Sequence, residues 1–371
     1  MLEFILLSLL ALFLIVWLWI DFVQYFVKGK KEKEEKEEKE EETPSSQSDT
    51  EVSMTGITKT DGPVAVTGAS GYIGSRVVED LMQQGYEVHA CVRDKSNGKK
   101  VDHLLNLNGQ GLEGSVQLFE ADLLDPGSYD QAFLGCAGVI HAGAALGFNR
   151  ETPQEVYDGC FTQNEHVVES VKKAGTVKRL VFTSSFAAVG HPRQEGYVFT
   201  EKDWCGDNVE GYRGAWTEEN ISKNRDIAYA MAKANTEKMI YKAAEEDGSF
   251  EAVSINPLHV VGPLMTENHN QFFSWQFFIG KLLKGEDFGY INEKQLRGST
   301  MLWNMVDVRD VARAHRLGTE SPNAKNGSRY ILSATDRSGE MFTWELQAKL
   351  KELFPEIENI GGEEMEEGQP K

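Results

Sequence analysis

Residues 64–74 of this 371-residue chain read VAVTGASGYIG, and this stretch constrains the possible folds more than any other. Small and β-branched residues lead into three glycines with the spacing G-x-x-G-x-x-G, namely Gly68, Gly71 and Gly74. Apolar residues then recur at three- and four-residue intervals, which predicts a helix. Between a strand and a helix, such glycines allow a tight turn, close approach to a pyrophosphate and close helix packing. The stretch therefore predicts dinucleotide binding, and an ordinary tight turn is the alternative.

The end of the next predicted strand, residues 87–92, distinguishes between the two common dinucleotides. In NAD-binding proteins an acidic side chain about 20 residues past the glycines binds the ribose 2′-hydroxyl. Here Arg93 occupies that position, and Lys99 and Lys100 follow. A guanidinium suits a 2′-phosphate, so the sequence predicts NADP(H). The adjacent Asp94 keeps NAD(H) as the less favoured alternative, in which Arg93 is a solvated loop charge.

Strands alternate with helices along the chain, which predicts an α/β fold of the Rossmann type, a doubly wound parallel sheet with helices on both faces. Further strands are predicted at 116–123, 137–144, 179–185, 253–256 and 330–332. Helices are predicted at 101–107, 126–134, 151–174, 226–246, 307–318 and 342–353. Asp122 lies at the carboxyl end of its strand, the edge at which such sheets bind ligands. His141, at another strand end, is interpreted as a packed, neutral histidine.

Two hydroxyl residues and a tyrosine–lysine pair indicate chemistry at the same edge. Tyr229 and Lys233 are four residues apart on a predicted helix and so project from one face. An ammonium stabilises the ionised form of a neighbouring phenol, which suits the tyrosine to exchange a proton with a carbonyl oxygen. Ser184 and Ser185 end a strand, so we expect both hydroxyls to point into the crevice. An ordinary exposed helix pair is the alternative, but the combination with the glycine motif favours a catalytic site.

The composition excludes several classes of protein. The formal net charge is −20, so no basic face is available for a nucleic-acid partner. The four cysteines form no C-x-x-C pair, which argues against a structural metal site and a disulfide framework.

The N-terminus carries a long apolar run, residues 4–27, which would span about 36 Å as a helix, enough for a bilayer of about 30 Å. It predicts a transmembrane anchor; a cleaved signal peptide is the alternative, but a basic n-region is missing. Lys28, Lys30, Lys31 and Lys33 follow the run and place the rest of the chain in the cytosol, with the endoplasmic reticulum as the default membrane. The sequons at Asn220 and Asn326 would then stay unmodified.

Four regions follow from this division of the chain. They are the anchor at 1–27, a charged and flexible linker at 28–61, a catalytic domain at 62–355 and an acidic tail at 356–371. Within the linker, residues 31–42 suit either a solvated single helix or a disordered spacer. A smaller C-terminal substrate lobe is expected mainly from 186–225, 258–305 and 320–355. The segment 186–225 contains Trp204, Tyr212 and Trp216, which either shape the mouth of the pocket or lie on the surface as decoration. Five aromatic residues on a later predicted helix either line a hydrophobic pocket or, as is favoured, form the lobe's own core: Phe272, Phe273, Trp275, Phe277 and Phe278.

From residue 63 to about 353 the chain resembles the extended short-chain dehydrogenase/reductases of the NAD-dependent epimerase/dehydratase superfamily. The resemblance rests on TGASGYIG at 67–74, VRD at 92–94, ADLLDP at 121–126, GVIHAGA at 138–144, VKRLVFTSS at 177–185, YAMAK at 229–233, NPLHVVGP at 256–263 and VDVRDVARAH at 306–315. Within the superfamily it is most similar to the dihydroflavonol reductase, cinnamoyl-CoA reductase and aldehyde/ketone reductase branch, which prefers NADPH.

The resemblance implies catalytic roles. Tyr229 is expected to protonate the substrate oxygen as hydride arrives from the nicotinamide, Lys233 to hold the nicotinamide ribose, and Ser185 to hydrogen-bond the substrate carbonyl. The implied activity is reversible reduction of an aldehyde or ketone, with a small and hydrophobic carbonyl compound as substrate. The alternatives are a sterol or hydroxysteroid dehydrogenase, a nucleotide-sugar epimerase and a non-enzymatic NADPH-sensing scaffold.

The resemblance also implies cofactor contacts. Pro257 is expected beside the nicotinamide, Asp122 and Leu123 against the adenine, and Arg93 and Lys100 at the 2′-phosphate. The other contacts are expected in the glycine turn and at a strand end: Gly68, Ser70, Gly71, Tyr72, Ile73, Gly74 and Ala142. No metal site is predicted.

Two features depart from that branch. Thr162 and Gln163 stand where it has an Asn-Gly pair, and Gly190 replaces a polar residue that contacts substrate in dihydroflavonol reductases. The second departure disfavours a flavonoid substrate and leaves the reductase interpretation intact.

Overall fold

The computed structural model describes residues 56–144, 152–190, 196–207, 217–270, 274–285, 302–334, 340–358 and 360. The predicted anchor at residues 4–27, the charged segment 31–42 and the last residues of the predicted tail lie outside this part. Within it, no helix combines the length and the apolar character that crossing a membrane requires.

The described residues form ten strands and eight α-helices. The strands are β1 (Val64–Thr67), β2 (Glu87–Val92), β3 (Ser115–Glu120), β4 (Gly138–His141), β5 (Arg179–Thr183), β6 (Glu251–Pro257), β7 (His259–Val261), β8 (Leu302–Asp307), β9 (Ser328–Leu332) and β10 (Glu340–Phe342). The helices are α1 (Tyr72–Gln83), α2 (Gly98–Leu105), α3 (Asp130–Phe133), α4 (Pro153–Ala174), α5 (Arg225–Asp247), α6 (Trp275–Leu283), α7 (Val308–Glu320) and α8 (Thr343–Leu353).

Seven strands form one sheet in the order β3-β2-β1-β4-β5-β6-β9, and all neighbours are parallel. The order reverses direction between β1 and β4, where Thr67 pairs with His141. In a doubly wound sheet, ligands bind at the carboxyl ends of the strands beside such a reversal. The predicted Rossmann-type architecture is confirmed.

Helices cover both faces of this sheet. On one face Val77 and Leu81 of α1 pack with Ala312 of α7, and on the other Val167 of α4 packs with Ile240 of α5. Between these layers β1 is completely buried. Burial on both faces explains why the central strands are continuous apolar runs rather than alternating ones.

A second, three-stranded sheet was not predicted from the sequence. In it β8 pairs with β7 in parallel and with β10 in antiparallel. Trp303 of β8 belongs to a cluster that also contains Trp275, Phe277 and Phe278. For Trp275, Phe277 and Phe278 the core interpretation is therefore confirmed, whereas Phe272 and Phe273 lie outside the described residues.

Several predicted boundaries differ from the structure for local reasons. The helix predicted at 126–134 is only α3, because Gly127 adopts a positive φ of 79° just before it. The strand predicted at 137–144 ends at His141, because Ala142 and Gly143 leave the sheet toward Gly68. Ile57, inside the predicted linker, is 1% exposed, and its amide donates to the carbonyl of Thr319 at 3.0 Å, so the chain packs against the body from there on.

Candidate active site

The glycine turn between β1 and α1 is as tight as its spacing predicts. Gly68 has a φ of 63°, and a Cβ on it would lie 2.5 Å from the Cα of Gly143. A Cβ on Gly74 would lie 2.2 Å from the carbonyl oxygen of Gly68. Side chains would push this turn away from the end of β4 and from its own helix. Gly71 is exposed, which leaves the surface of the turn open to a ligand.

Helix α1 begins without a capping side chain, unlike the longer helices. Gly71 is its N-cap residue, and the first turn, which includes Tyr72 and Ile73, holds no acidic residue. Side chains cap α4 through Thr152 and α5 through Asn224. Unpaired amide groups at a helix N-terminus attract anions. With Ser70 in the preceding turn, these residues fit the pyrophosphate of a dinucleotide.

The carboxyl end of β2 presents cations. Arg93 and Lys100 are both exposed, and Lys100 lies in the first turn of α2. The carboxylate of Asp94 accepts from the hydroxyl of Ser96 at 2.6 Å and from its amide at 2.9 Å. The Ser96 hydroxyl bond is the main reason that the pKa of Asp94 is lowered. Asp94 therefore closes a turn, and the neighbouring side chains carry the positive charge that suits a 2′-phosphate.

Asp122, Leu123 and Ala142 lie half-buried around the same turn. The carboxylate of Asp122 accepts from the amide of Leu124 at 2.9 Å, which fixes the chain after β3. The side chain of Leu123 comes within 3.3 Å of the position of a Cβ on Gly143. The structure thus brings these predicted cofactor contacts close to the glycine turn.

His141 is buried and hydrogen-bonded, as interpreted from the sequence. Burial, and then the charge of Lys233, lowers its pKa to about 3, so the ring is neutral. The Thr67 hydroxyl accepts from the amide of Gly143 at 3.2 Å and is hydrogen-bonded to Nδ1 of His141 at 2.6 Å. Thr67, which the sequence did not single out, therefore holds the end of β4 against the glycine turn.

Tyr229 and Lys233 lie one turn apart on α5, and both are half-buried. The ammonium of Lys233 lies 5.9 Å from the centre of the Tyr229 ring. It donates a hydrogen bond to the carbonyl of Thr183 at 3.2 Å. Because Thr183 ends β5, this bond ties the tyrosine–lysine helix to the strand end that carries Ser185.

The two serines after β5 point in different directions, which corrects the expectation that both hydroxyls enter the crevice. Ser184 is buried, and its hydroxyl donates to the carboxylate of Glu237 inside the molecule. Ser185 is half-buried, and its oxygen accepts from the amide of Ala187 at 3.1 Å. Successive residues of an extended chain face opposite sides, so only one of the pair can line the crevice.

Pro257 ends β6 beside this serine. Its neighbour Asn256 donates from its amide to the carbonyl of Ser185 at 3.2 Å. The residue before the predicted nicotinamide-side Pro257 is thus hydrogen-bonded to the backbone of the predicted catalytic serine.

Residues 262–270, here called the crossing segment, reach the cofactor side and were missed by the sequence analysis. Gly262 accepts from the Tyr72 hydroxyl at 2.9 Å, and Pro263 accepts from Arg76 at 2.9 Å. Asn268 donates to the carbonyl of Lys99 at 2.5 Å. The partners lie 169 to 190 residues apart, so no local pattern could have revealed these bonds.

A cluster of polar side chains lies where the crossing segment meets α1 and α2. The Ser75 hydroxyl lies 2.8 Å from Nε2 of His103 and 3.3 Å from Nε2 of His269. Burial, together with the neighbouring His103, lowers the pKa of His269 to about 4.

All four cysteines lie in the described part, are buried and form no disulfide.

Comparisons with known proteins agree with this geometry. The family model described as NAD dependent epimerase/dehydratase family matches residues 64–332. A cinnamoyl-CoA reductase, CAD2, from Medicago truncatula is 33% identical over 304 residues, which cover 80% of this chain and 82% of the relative. A bifunctional dihydroflavonol 4-reductase/flavanone 4-reductase from Malus domestica is 33% identical over 295 residues, 79% of this chain and 76% of the relative.

Among solved structures, Gre2 from Candida albicans in complex with NADPH aligns with a TM-score of 0.66 at 24% identity, covering 81% of this chain and 86% of that one. This similarity is one of fold. The family match over residues 64–332 and the relatives at 33% identity show that the chain belongs to the NAD-dependent epimerase/dehydratase family, as the resemblance of its motifs predicted.

Proposed function

We propose that the chain is an NADPH-dependent reductase that converts an aldehyde or ketone into an alcohol. The reaction is reversible, so the chain also oxidises the alcohol with NADP. It is an oxidoreductase acting on CH–OH or carbonyl groups, in keeping with the names of its relatives. One observation carries the proposal. The bond from Lys233 to the carbonyl of Thr183, at 3.2 Å, ties the helix of Tyr229 to the strand end of Ser185.

Each of the three side chains has a chemical task. The hydroxyls of Ser185 and Tyr229 hydrogen-bond the substrate oxygen, and Tyr229 transfers its proton to that oxygen. Lys233 offsets the negative charge that develops on the phenol oxygen. A bound nicotinamide would supply the hydride. Because His141 is neutral and turned toward Thr67, it takes no part in the proton transfer.

Arg93 and Lys100 support NADPH as the cofactor. Both are exposed at the carboxyl end of β2, and the one acidic neighbour in this turn, Asp94, is hydrogen-bonded to Ser96. Two cations would bind a 2′-phosphate through charge-assisted hydrogen bonds.

The surroundings of Gly190 support an apolar substrate. A Cβ on Gly190 would lie 2.5 Å from the ring of Phe186, the residue after Ser185. Phe186 in turn packs edge-to-face on Phe199, with ring centres 5.4 Å apart. The position that holds a polar contact in dihydroflavonol reductases is thus covered by an aromatic ring, which favours a hydrophobic carbonyl compound over a flavonoid.

Oxidation of NADPH by the full chain against aromatic, aliphatic and steroidal aldehydes and ketones tests the proposal. We expect turnover of apolar carbonyl compounds and the fastest rates with NADPH rather than NADH. If the chain binds NADPH but reduces none of these compounds, the reductase function is wrong and a cofactor-sensing role is favoured.

We further propose that residues 4–27 anchor the enzyme in the endoplasmic reticulum membrane, with the catalytic domain in the cytosol. The support is the apolar run and the lysines that follow it. The chain is expected to stay in the membrane pellet after an alkaline carbonate wash and to be released when residues 1–27 are deleted. Release of the intact chain by the wash, or a glycosidase-sensitive mass, would contradict this topology.

A further inference from the structure

Glu237 is a buried carboxylate on the helix that carries the catalytic pair. It lies one turn past Lys233 and two turns past Tyr229, so the three side chains share a face of α5. Its exposed fraction is 0%. A buried carboxylate is costly unless hydrogen bonds satisfy it. Donors at the ends of β5 and β6 and on β9 do so: the Ser184 hydroxyl, Asn256 Nδ2 at 2.6 Å and Arg329 Nε at 2.7 Å.

Two of these bonds come from residues next to predicted site residues in the chain. Ser184 precedes Ser185 in the chain, and Asn256 precedes Pro257. The Asn256 amide donates one hydrogen to Glu237 and the other to the carbonyl of Ser185 at 3.2 Å. One carboxylate therefore holds the ends of both β5 and β6 against α5.

Arg329, the cation paired with Glu237, also hydrogen-bonds to the chain that follows Ser185. Arg329, 6% exposed, donates to the carbonyls of Glu201 at 2.9 Å, Asp203 at 2.6 Å and Ala188 at 3.3 Å. Its guanidinium lies 3.7 Å above the ring of Trp204. The ion pair thus also fixes the short 3₁₀ helix that follows Ser185 and the segment 196–207.

We propose that Glu237 is a positioning residue that keeps Ser185 and Pro257 in register with Tyr229 and Lys233. The proposal rests on the proposed reductase function. Helix α5 buries small residues such as Ala228 and Ala232, and apolar packing sets no direction. Hydrogen bonds to one carboxylate are directional, and a displacement of about 1 Å in a catalytic group lowers rates about 100-fold. A buried ion pair contributes little net stability, so its main effect is on geometry.

Glu237→Gln tests the proposal, with Glu246→Gln as the matched control. Glutamine keeps the size and one acceptor oxygen of Glu237, but either orientation of its amide sets an N–H against a donor, that of Arg329 or that of Asn256. We expect kcat to fall about 10- to 100-fold, and KM for NADPH to change less than about 3-fold. Amide hydrogen exchange should rise in residues 183–190 and 254–258. Glu246, which pairs with Lys242 at 3.6 Å on the exposed side of α5, should give wild-type values.

A double variant separates positioning from stability. Glu237→Met with Arg329→Met removes both charges, and we expect its melting temperature to lie above that of Glu237→Gln, because no unpaired charge stays buried. We expect kcat to stay low, because methionine cannot hold Ser184 and Asn256. Recovery of kcat together with stability would overturn the proposal. If Glu237→Gln fails to fold, Ser184→Ala, which leaves the ion pair intact, should show a smaller loss of kcat at unchanged KM for NADPH.

The exchange measurement keeps this proposal distinct from the proposed function. If the wild-type chain reduces no carbonyl compound, the reductase function fails, but exchange in the Glu237→Gln variant still reports on the strand ends. Unchanged exchange at 183–190 and 254–258 would overturn the positioning role whatever the activity.

Discussion

Replacing Tyr229 by phenylalanine should lower kcat for carbonyl reduction by about 100- to 10,000-fold, the range expected for loss of a positioned proton donor. The variant removes one oxygen atom and leaves the ring that lies beside Lys233, so NADPH binding should persist. The half-buried position of Tyr229 allows this change without an unpaired polar group in the core. Steady-state rates and NADPH fluorescence titration would measure the two quantities separately.

Tyr330→Phe is the matched control for this variant. Tyr330 lies on β9 and is 37% exposed, far along the chain from α5, and its hydroxyl has no assigned task. Its loss should leave kcat unchanged. Comparable turnover by Tyr229→Phe and wild type would remove Tyr229 from the mechanism, even if the chain proves to be a reductase.

Replacing Arg93 by aspartate should reduce the preference for NADPH over NADH by about 100-fold, measured as the ratio of kcat/KM for the two cofactors. A hydrogen bond to a charged group contributes about 1.5–3 kcal/mol, and the carboxylate adds repulsion toward the 2′-phosphate. Lys100 remains in the variant, so some preference for NADPH should persist. The loss should be smaller at high salt, because Arg93 is exposed.

Lys95→Asp is the control for the change in electrostatic potential that the charge reversal at Arg93 produces around the turn. It makes the same change in net charge two residues further along, at another exposed position. Only a small change in the NADPH/NADH ratio is expected. An equal loss of preference in both variants would mean that the general potential of this turn, rather than a contact from Arg93, selects the cofactor.

The parts of the fold that local patterns specify were predictable. Glycine spacing and helical periodicity are properties of neighbouring residues, so the turn at Gly68, the helix α1 and the pair of Tyr229 with Lys233 followed from the sequence. The short strands β7 and β10 did not, because three residues carry too little pattern to distinguish a strand from a loop.

Contacts between distant residues account for most of what was missed. The pair of Glu237 with Arg329 joins positions 92 residues apart, and the bond of Ser75 with His269 joins positions 194 apart. The opposite orientations of Ser184 and Ser185 were accessible to sequence reasoning, however. Strict alternation along an extended chain already requires that one of two adjacent side chains faces inward.

The crossing segment has a thermodynamic consequence for how strongly two ligands can affect each other's binding. It touches α1 through Tyr72 and α2 through Lys99, and it runs from the end of β7 toward α6. Where one segment borders two ligand positions, linkage is reciprocal, and the factor by which the first ligand tightens the second equals the factor in the opposite direction. A nucleotide and a second ligand that both contact the crossing segment would therefore each tighten the binding of the other by one common factor.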